Sequence, residues 1–490
     1  MPGRLGLRSL FGLPAGVGRP AYAVERIRTG IVHLGAGAFH RAHQAVYTDD
    51  LLNAGGNDDW GIAAVSMRRP EVADALVRQQ GLYTVTEYAP DGAPRPRVIG
   101  AIREALVLAA DPAAVAGAIA REQTRVVTLT VTEKAYYWRG DGAGLDRSAA
   151  PVQEDLQARE PRQTAVGALV AGLERRRAAD GGSLSVVCCD NLPENGAVLR
   201  RLCLDFAAAW RPGLERWIED RVRFPSSMVD RITPASTPEL VAETAEALGC
   251  EDRIPIACEA FRQWVIEDDF ANGRPPWDLG GAQFVDDVRP FEDMKLRMLN
   301  ASHSALAYLG LLAGYRHVNE ALAVPAFRAF VDHLMVRELA PTVRNMPESA
   351  LRDYRVALLR RFASPRPAHR LAQIAEDGSQ KIPIRILNPL REQHTAERPA
   401  DGLVVVVAGW LAYHERVAAG ELPGPLKDPL AARLLEVAAM TPASARVRAL
   451  SDLFGASLAE NRSFLECLDL WYQRLAVNGA EPTLLRLVRD

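Results

Sequence analysis

The chain has 490 residues, 48% hydrophobic and 24% charged, which suits a globular protein of more than one domain and excludes a disordered or fibrous one. Its 58 basic and 61 acidic side chains are mixed along the sequence and leave a net charge of −3, so no broad basic face favours nucleic acid or an anionic membrane. No apolar run approaches the roughly 18 residues that a membrane helix needs.

Met1 to Tyr22 carries scattered arginines and a short apolar part broken by glycine, a poor signal peptide, so the N-terminus reads as a cytoplasmic leader. From Gly30 to about Asp286, short β-branched runs alternate with helical stretches. That alternation predicts an α/β fold, a Rossmann-like doubly wound sheet of parallel strands joined by crossover helices. The clearest strands are expected at 31–34, 61–66, 125–131 and 184–189, each nearly continuous in apolar residues, with helices at 111–121, 164–177 and 195–210. After Pro290 apolar residues recur at helical spacing through 294–312, 324–339, 351–362 and 431–439, so a mainly α-helical C-terminal domain is expected. The predicted division is 1–285 for the Rossmann-type domain and 286–490 for the helical one. The Pro- and Gly-rich stretch 272–281 reads as the hinge, and 365–367 and 421–429 as loops.

Six cysteines, with no CxxC pair and none near a histidine cluster, indicate neither a zinc site nor a disulfide framework; small buried hydrophobes in a reduced compartment are expected.

Three places carry chemistry. Ile31 to Leu34 runs through Gly35-Ala36-Gly37-Ala38-Phe39 into a helix. Gly35 permits a tight turn, Gly37 lets backbone approach a pyrophosphate, and Ala38 and Phe39 open the helix, so these four are the candidate cofactor residues. Position 40, where a dinucleotide fingerprint has its third glycine, is histidine; the turn alone also suits a plain strand-to-helix connection. After the second strand, Arg68 and Arg69 stand where an acidic residue would select NAD, which leaves NADP open; the same arginines also suit a solvated loop.

The second place is Lys295 to His303. On a helix at about 100° per residue, Lys295, Asn300 and His303 fall within about 140°, while Leu296 and Leu299 lie elsewhere and can anchor a core. Oxidising an alcohol without a metal needs a base for the hydroxyl proton and donors for the developing alkoxide. Lys295 can be that base once burial lowers its pKa, and Asn300 one donor. The third place, Asp190-Asn191 at the end of the strand 184–189, offers a second carboxamide in Asn191, beyond the carboxyl end of a strand where ligands sit in such folds. Each of these groups alone also fits a solvated or purely structural role.

The residues now on the page resemble a known family, the polyol-specific long-chain dehydrogenases and reductases, also called the mannitol dehydrogenase family. The resemblance runs over nearly the whole chain and rests on Gly35 to His43, Thr130 to Lys134, Cys189 to Gly196, Met228 to Ile232, Trp264 to Asp268, Lys295 to His303 and Asp377 to Lys381. It implies an NAD-dependent, metal-independent, often monomeric secondary-alcohol dehydrogenase. In it Lys295 would be the general acid/base, Asn191 and Asn300 the oxyanion site, and His303 a substrate-positioning residue. Asp230 and Lys381 would contact substrate hydroxyls, and Glu133 would lie beside the lysine. The stretches 256–264 and 369–381 look closer to the branch that interconverts D-fructuronate and D-mannonate than to the mannitol branch, in which Arg is expected where Gln373 stands and an apolar residue at Arg262. Arg is suited to grip a uronate carboxylate, so Arg262 or Arg370 is the expected carboxylate partner, each equally able to be a surface ion pair. Mannitol and tagaturonate are the alternative substrates. A β-hydroxyacid dehydrogenase is disfavoured because its Lys and Asn stand four apart and here they stand five apart; a non-catalytic dinucleotide sensor is disfavoured by the full set of candidate groups.

Overall fold

The computed structural model describes residues 3–139, 144–422 and 424–489. The chain divides into two compact units, one of Met1–Ala89 with Ala93–Arg289 and one of Pro290–Asp490 with the short piece Pro90–Gly92.

The first unit is built on β1 (Thr29–Leu34), β2 (Gly61–Ser66), β3 (Ile102–Val107), β4 (Val126–Leu129), β5 (Leu184–Cys188) and β6 (Val222–Arg223). All pair in parallel, in the spatial order β6-β5-β4-β1-β2-β3. The winding reverses between β1 and β4, the place where such sheets open a crevice at their carboxyl ends. β2, β4 and β5 are buried along their whole length, which is why each reads as a continuous apolar run. Val32 and Leu34 face one core layer with Val115, Leu169 and Leu199; Ile31 faces the other with Val46 and Leu51. The helices are α1 (Ala38–Ala42), α2 (Gln44–Asn53), α3 (Pro112–Ala120), α4 (Ala165–Ala178) and α5 (Asn195–Trp210). Asp111 and Thr164 cap α3 and α4 by accepting from the amides of Ala114 and Gly167, start signals visible in the sequence. The predicted strand 125–131 ends at Leu129, because the amides of Val131 and Thr132 leave the ladder for the Asp190 carboxylate at 2.8 and 3.0 Å.

A smaller sheet of β7 (Ser227–Asp230), β8 (Gln263–Glu267) and β9 (Gln283–Val285) belongs to the same unit. It corrects the expected hinge. Within 272–281, Trp277 is 1% exposed, packs on Trp264 with ring centroids 4.3 Å apart and donates to Thr48 Oγ1 at 3.1 Å. The Pro and Gly residues there shape a stitched-down loop of the first unit, and the boundary falls between Arg289 and Pro290.

The second unit is helical. Of its helices, α6 (Arg289–Met294), α7 (Ala301–Leu312), α8 (Glu348–Ala363), α9 (Leu371–Ala375), α10 (Gly378–Ile382) and α11 (Asp401–Ala418) matter here. Residues 301–310 of α7 are all buried, and the missing Cβ of Gly409 lets α11 meet Leu309, whose Cδ2 would stand 2.7 Å from it. The predicted single helix 294–312 is instead interrupted: Lys295–Asn300 forms a π-turn between α6 and α7. Leu334–Leu339 and Pro383–Leu387 are π-turns as well. Leu299 enters the core as expected, whereas Leu296 is only half-buried. No helix among the described residues is long and apolar enough to cross a membrane.

Candidate active site

The glycine turn is held by backbone and by one histidine. Gly35 has φ +103° and a Cβ there would lie 2.0 Å from Thr130 O, so only glycine fits. The amides of Gly35 and Ala36 both donate to Val65 O, at 2.9 and 3.0 Å. His33 braces the turn from below: its Nε2 is 3.2 Å from Gly35 O and 2.8 Å from Thr130 Oγ1, and its Nδ1 is 2.6 Å from Thr128 Oγ1. A carbonyl oxygen can only accept, so that network assigns the proton to Nε2. Gly37 is exposed, and an added Cβ would meet nothing closer than Gly35 O at 3.9 Å. A pyrophosphate fits this geometry, because backbone can be approached at Gly37 without a side chain in the way. His40, in the third-glycine position, is fully buried and stacks on His33 at 3.4 Å with the rings 13° from parallel. Burial pushes the His33 pKa down to about 3 and that of His40 well below its ordinary value, so the pair packs as neutral rings. Ala38 and Phe39 open α1, half-buried, and Arg68 and Arg69 are exposed just past β2.

At the carboxyl ends of β4 and β5, Asp190 is a clamp. Its carboxylate accepts the amides of Val131 and Thr132 and the Tyr136 hydroxyl, the last at 2.6 Å. This fixes the loop that carries Glu133 and forces Thr132 to φ +75°. Asn195 adds a second clamp, donating to Asp190 O at 3.0 Å and Ser227 O at 2.7 Å. Glu133 and Asn191 are exposed, on the loops so held, and Asp230 ends β7 with 4% exposure. Arg262 forms an ion pair with Asp50, donates to Gly280 O at 3.0 Å and lies over the Tyr47 ring at 4.5 Å. It is thus engaged with a carboxylate of its own unit.

In the helical unit the π-turn sets the phase of the candidate groups. An α-helix would leave Lys295 and Asn300 about 140° apart, whereas a turn closed by i→i+5 hydrogen bonds brings residues five apart toward one stripe. Lys295 and Asn300 are both half-buried. One turn on, His303 is 6% exposed and its Nε2 has no hydrogen-bond partner. Its ring meets Phe362 at 4.7 Å and the edge of His369 at 5.0 Å. Burial, then the charges of Arg361, Arg385 and Lys381 beside His369, hold the His303 pKa well below the ordinary value, so it is neutral. Lys381 ends α10 half-buried and donates to Ile374 O at 3.2 Å. Arg370 caps the start of α9 and is exposed. His369, Arg361 and Arg385 had no signal in the sequence beyond lying near quoted motifs, because only the fold brings them to His303.

Two family descriptions match the chain in tandem, "Mannitol dehydrogenase Rossmann domain" over residues 29–279 and "Mannitol dehydrogenase C-terminal domain" over residues 287–476. The chain belongs to the mannitol dehydrogenase family. Among its relatives, a D-mannonate oxidoreductase of Escherichia coli (strain K12) is 43% identical, over 96% of this chain and 98% of that protein. A mannitol 2-dehydrogenase of Phaeosphaeria nodorum is 37% identical over 95% of this chain and 82% of that protein. Among solved structures, Pseudomonas fluorescens mannitol 2-dehydrogenase in ternary complex with NAD and D-mannitol superposes with a TM-score of 0.88 at 36% identity, covering 99% of this chain and all of that one.

Family membership makes the chain an oxidoreductase of the mannitol dehydrogenase type with a Rossmann-like sheet and a helical C-terminal part. Within it, the clamp role of Asp190 escaped sequence reasoning, which took Asp190-Asn191 together as chemical; the three donors that claim Asp190 are distant in sequence.

Proposed function

We propose that this protein interconverts D-fructuronate and D-mannonate with NAD, with Lys295 as general acid/base. The observation that carries the mechanism is the π-turn Lys295–Asn300 leading directly into buried, neutral His303. π-turns of this kind are frequent at functional sites, where they change the phase of side chains that a regular helix would keep apart. NAD, when bound, supplies or takes the hydride; Gly35, Gly37, Ala38 and Phe39 would hold its pyrophosphate end, with Arg68 and Arg69 toward the ribose. During oxidation Lys295 Nζ takes the hydroxyl proton, and during reduction the same ammonium returns it to the alkoxide oxygen. Asn300 and Asn191 donate to that oxygen as charge builds, and neutral His303 donates to a neighbouring hydroxyl. Asp230 and Lys381 take further substrate hydroxyls, and Glu133 orients the lysine.

The uronate rather than a polyol is supported by the 43% identity to a D-mannonate oxidoreductase over nearly the full length of both chains. The mannitol reading is the second choice, favoured by the TM-score of 0.88 to mannitol 2-dehydrogenase. Following NADH and NADPH absorbance with fructuronate, tagaturonate and fructose in parallel decides substrate and cofactor together; faster turnover of fructose than of either uronate rejects the proposal. Lys295→Ala should lower kcat by about a thousandfold while the dissociation constant for NADH, read by fluorescence, stays within about threefold. Near-normal kcat across the pH range would remove Lys295 from the mechanism.

A further inference from the structure

A helix that takes in one residue more than its period allows keeps it only where the surroundings over-determine the turn. The π-turn Lys295–Asn300 is tied at its middle and at its end, each time by an arginine. Arg297, its side chain 11% exposed, donates from Nη2 to Glu392 Oε1 at 2.8 Å, and its Nε lies 3.5 Å from Asp293 Oδ1. Asp293 is on α6, one turn upstream, and Glu392 is on the helix Asn388–Thr395. One side chain thus fixes the widened turn both along its own rod and across to a neighbour. Arg344 stands 3.7 Å from the other oxygen of Glu392, so both oxygens of that carboxylate face a cation. The far end is held from a second widened turn. Pro383–Leu387 packs against the first, and its Arg385 reaches Asn300 O with Nη1 at 3.4 Å and Ser304 Oγ at 3.5 Å. Between the two ties Met298 and Leu299, 1% and 3% exposed, enter the core.

We propose that Arg297 and Arg385 are positioning residues for proton transfer: they hold the widened turn in register, so that Lys295 Nζ and the Asn300 carboxamide address one substrate oxygen. The inference rests on the reading above that Lys295 moves the proton, and it gives neither arginine a contact with substrate. Both guanidinium groups act through partners they already have inside the protein. A planar guanidinium fixes the direction of its bonds as well as their length, which an ammonium on a flexible stem does not. Without the ties the turn is free to rewind toward an ordinary α-helix, in which Lys295 and Asn300 stand about 140° apart. A misplacement of about 1 Å at the reacting oxygen is enough to lower the rate on the order of 100-fold.

The test measures steady-state kinetics and amide hydrogen exchange in Arg297→Met, Arg297→Lys, Arg385→Met and Arg385→Lys. With whichever of fructuronate, tagaturonate and fructose wild type reduces fastest, kcat should fall by about 10- to 100-fold in each methionine variant, while KM for NADH stays within about threefold. The lysine variants, which keep a cation near the same acceptors, should recover part of that loss. Exchange in the segment 291–304 should quicken in both methionine variants, with segments of the Rossmann sheet unchanged. A kcat within about threefold of wild type in both methionine variants, or unchanged exchange at 291–304, overturns the proposal. A rise in KM for NADH as large as the fall in kcat also overturns it, because the damage then reaches beyond the turn. Thermal melting checks folding; should Arg297→Met not fold, Arg385→Met and the two lysine variants carry the test. Lys295→Ala separates this inference from the reaction assignment. If that variant keeps a near-normal kcat, the proton-transfer reading falls, and exchange at 291–304 alone decides whether the two arginines hold the turn.

Discussion

The loop end of the Rossmann sheet and the His303 corner of the helical unit use buried polar groups in opposite ways. At the sheet, the Asp190 carboxylate collects three protein donors, and both ring nitrogens of His33 are hydrogen-bonded, Nε2 donating and Nδ1 accepting, so each is occupied by its own chain. At the corner, His303 and His369 keep nitrogen atoms buried and unengaged. Fully satisfied groups hold backbone in place, whereas unsatisfied ones store a cost that a ligand can relieve. The contrast separates polar groups that the fold itself satisfies from groups that it leaves open.

The comparison breaks most sharply at Gly35. Gly35→Ala drives a Cβ into Thr130 O at a φ of +103° and should lower the melting temperature by roughly 10 °C, with loss of NADH binding; a stable, NADH-binding variant would show the turn is not rigid. Asp190→Ala leaves the Val131 and Thr132 amides and the Tyr136 hydroxyl without their acceptor. It should cost about 3 kcal/mol in denaturant unfolding and reduce kcat through the displaced Glu133 loop.

Glu338 sharpens the comparison, because it is a clamp inside the helical unit: its carboxylate accepts the amides of Gly402 and Leu403 at 2.8 Å each, at the start of α11. Burial raises its pKa from 4.5 to about 7 against the opposing pull of those amides. In that window the folded chain keeps a proton that the unfolded chain has lost, so this group's contribution makes stability fall as pH rises toward 7 and level off above it. Unfolding at pH 5.5 and 8 should differ by about 2 kcal/mol more in wild type than in Glu338→Gln. Identical pH slopes would place the Glu338 pKa near its ordinary value. The smallest effect is expected at Gly37, where Ala meets no clash: melting without cofactor should be unchanged while the NADH dissociation constant rises about tenfold. An unchanged constant would move the pyrophosphate away from this turn.

Much of the sheet was legible because strands covered on both faces are continuous apolar runs, and β2, β4 and β5 are such strands. The helices expected at 111–121 and 164–177 form within a few residues of those bounds, and the structure shows Asp111 and Thr164 as their caps. The π-turn at Lys295–Asn300 was not legible, since periodicity is read on a template of 3.6 residues per turn and an inserted residue changes phase without changing composition. The stretch 272–281 misled because Pro and Gly mark loops, not which loops are stitched down; Trp277 is what ties this one to its unit. The partners of Asp190 and the neighbours of His303 were hidden because both sets assemble from segments far apart in the chain.

The widened turn at Lys295–Asn300 also acts as a phase shifter on a single rod. Upstream of it α6 keeps its own rotational setting, and downstream α7 is free to turn its buried residues 301–310 wholly toward the packing of its unit. One segment can thereby satisfy two rotational demands that an unbroken helix would tie together, and deleting one residue from the loop of the bulge would restore that tie.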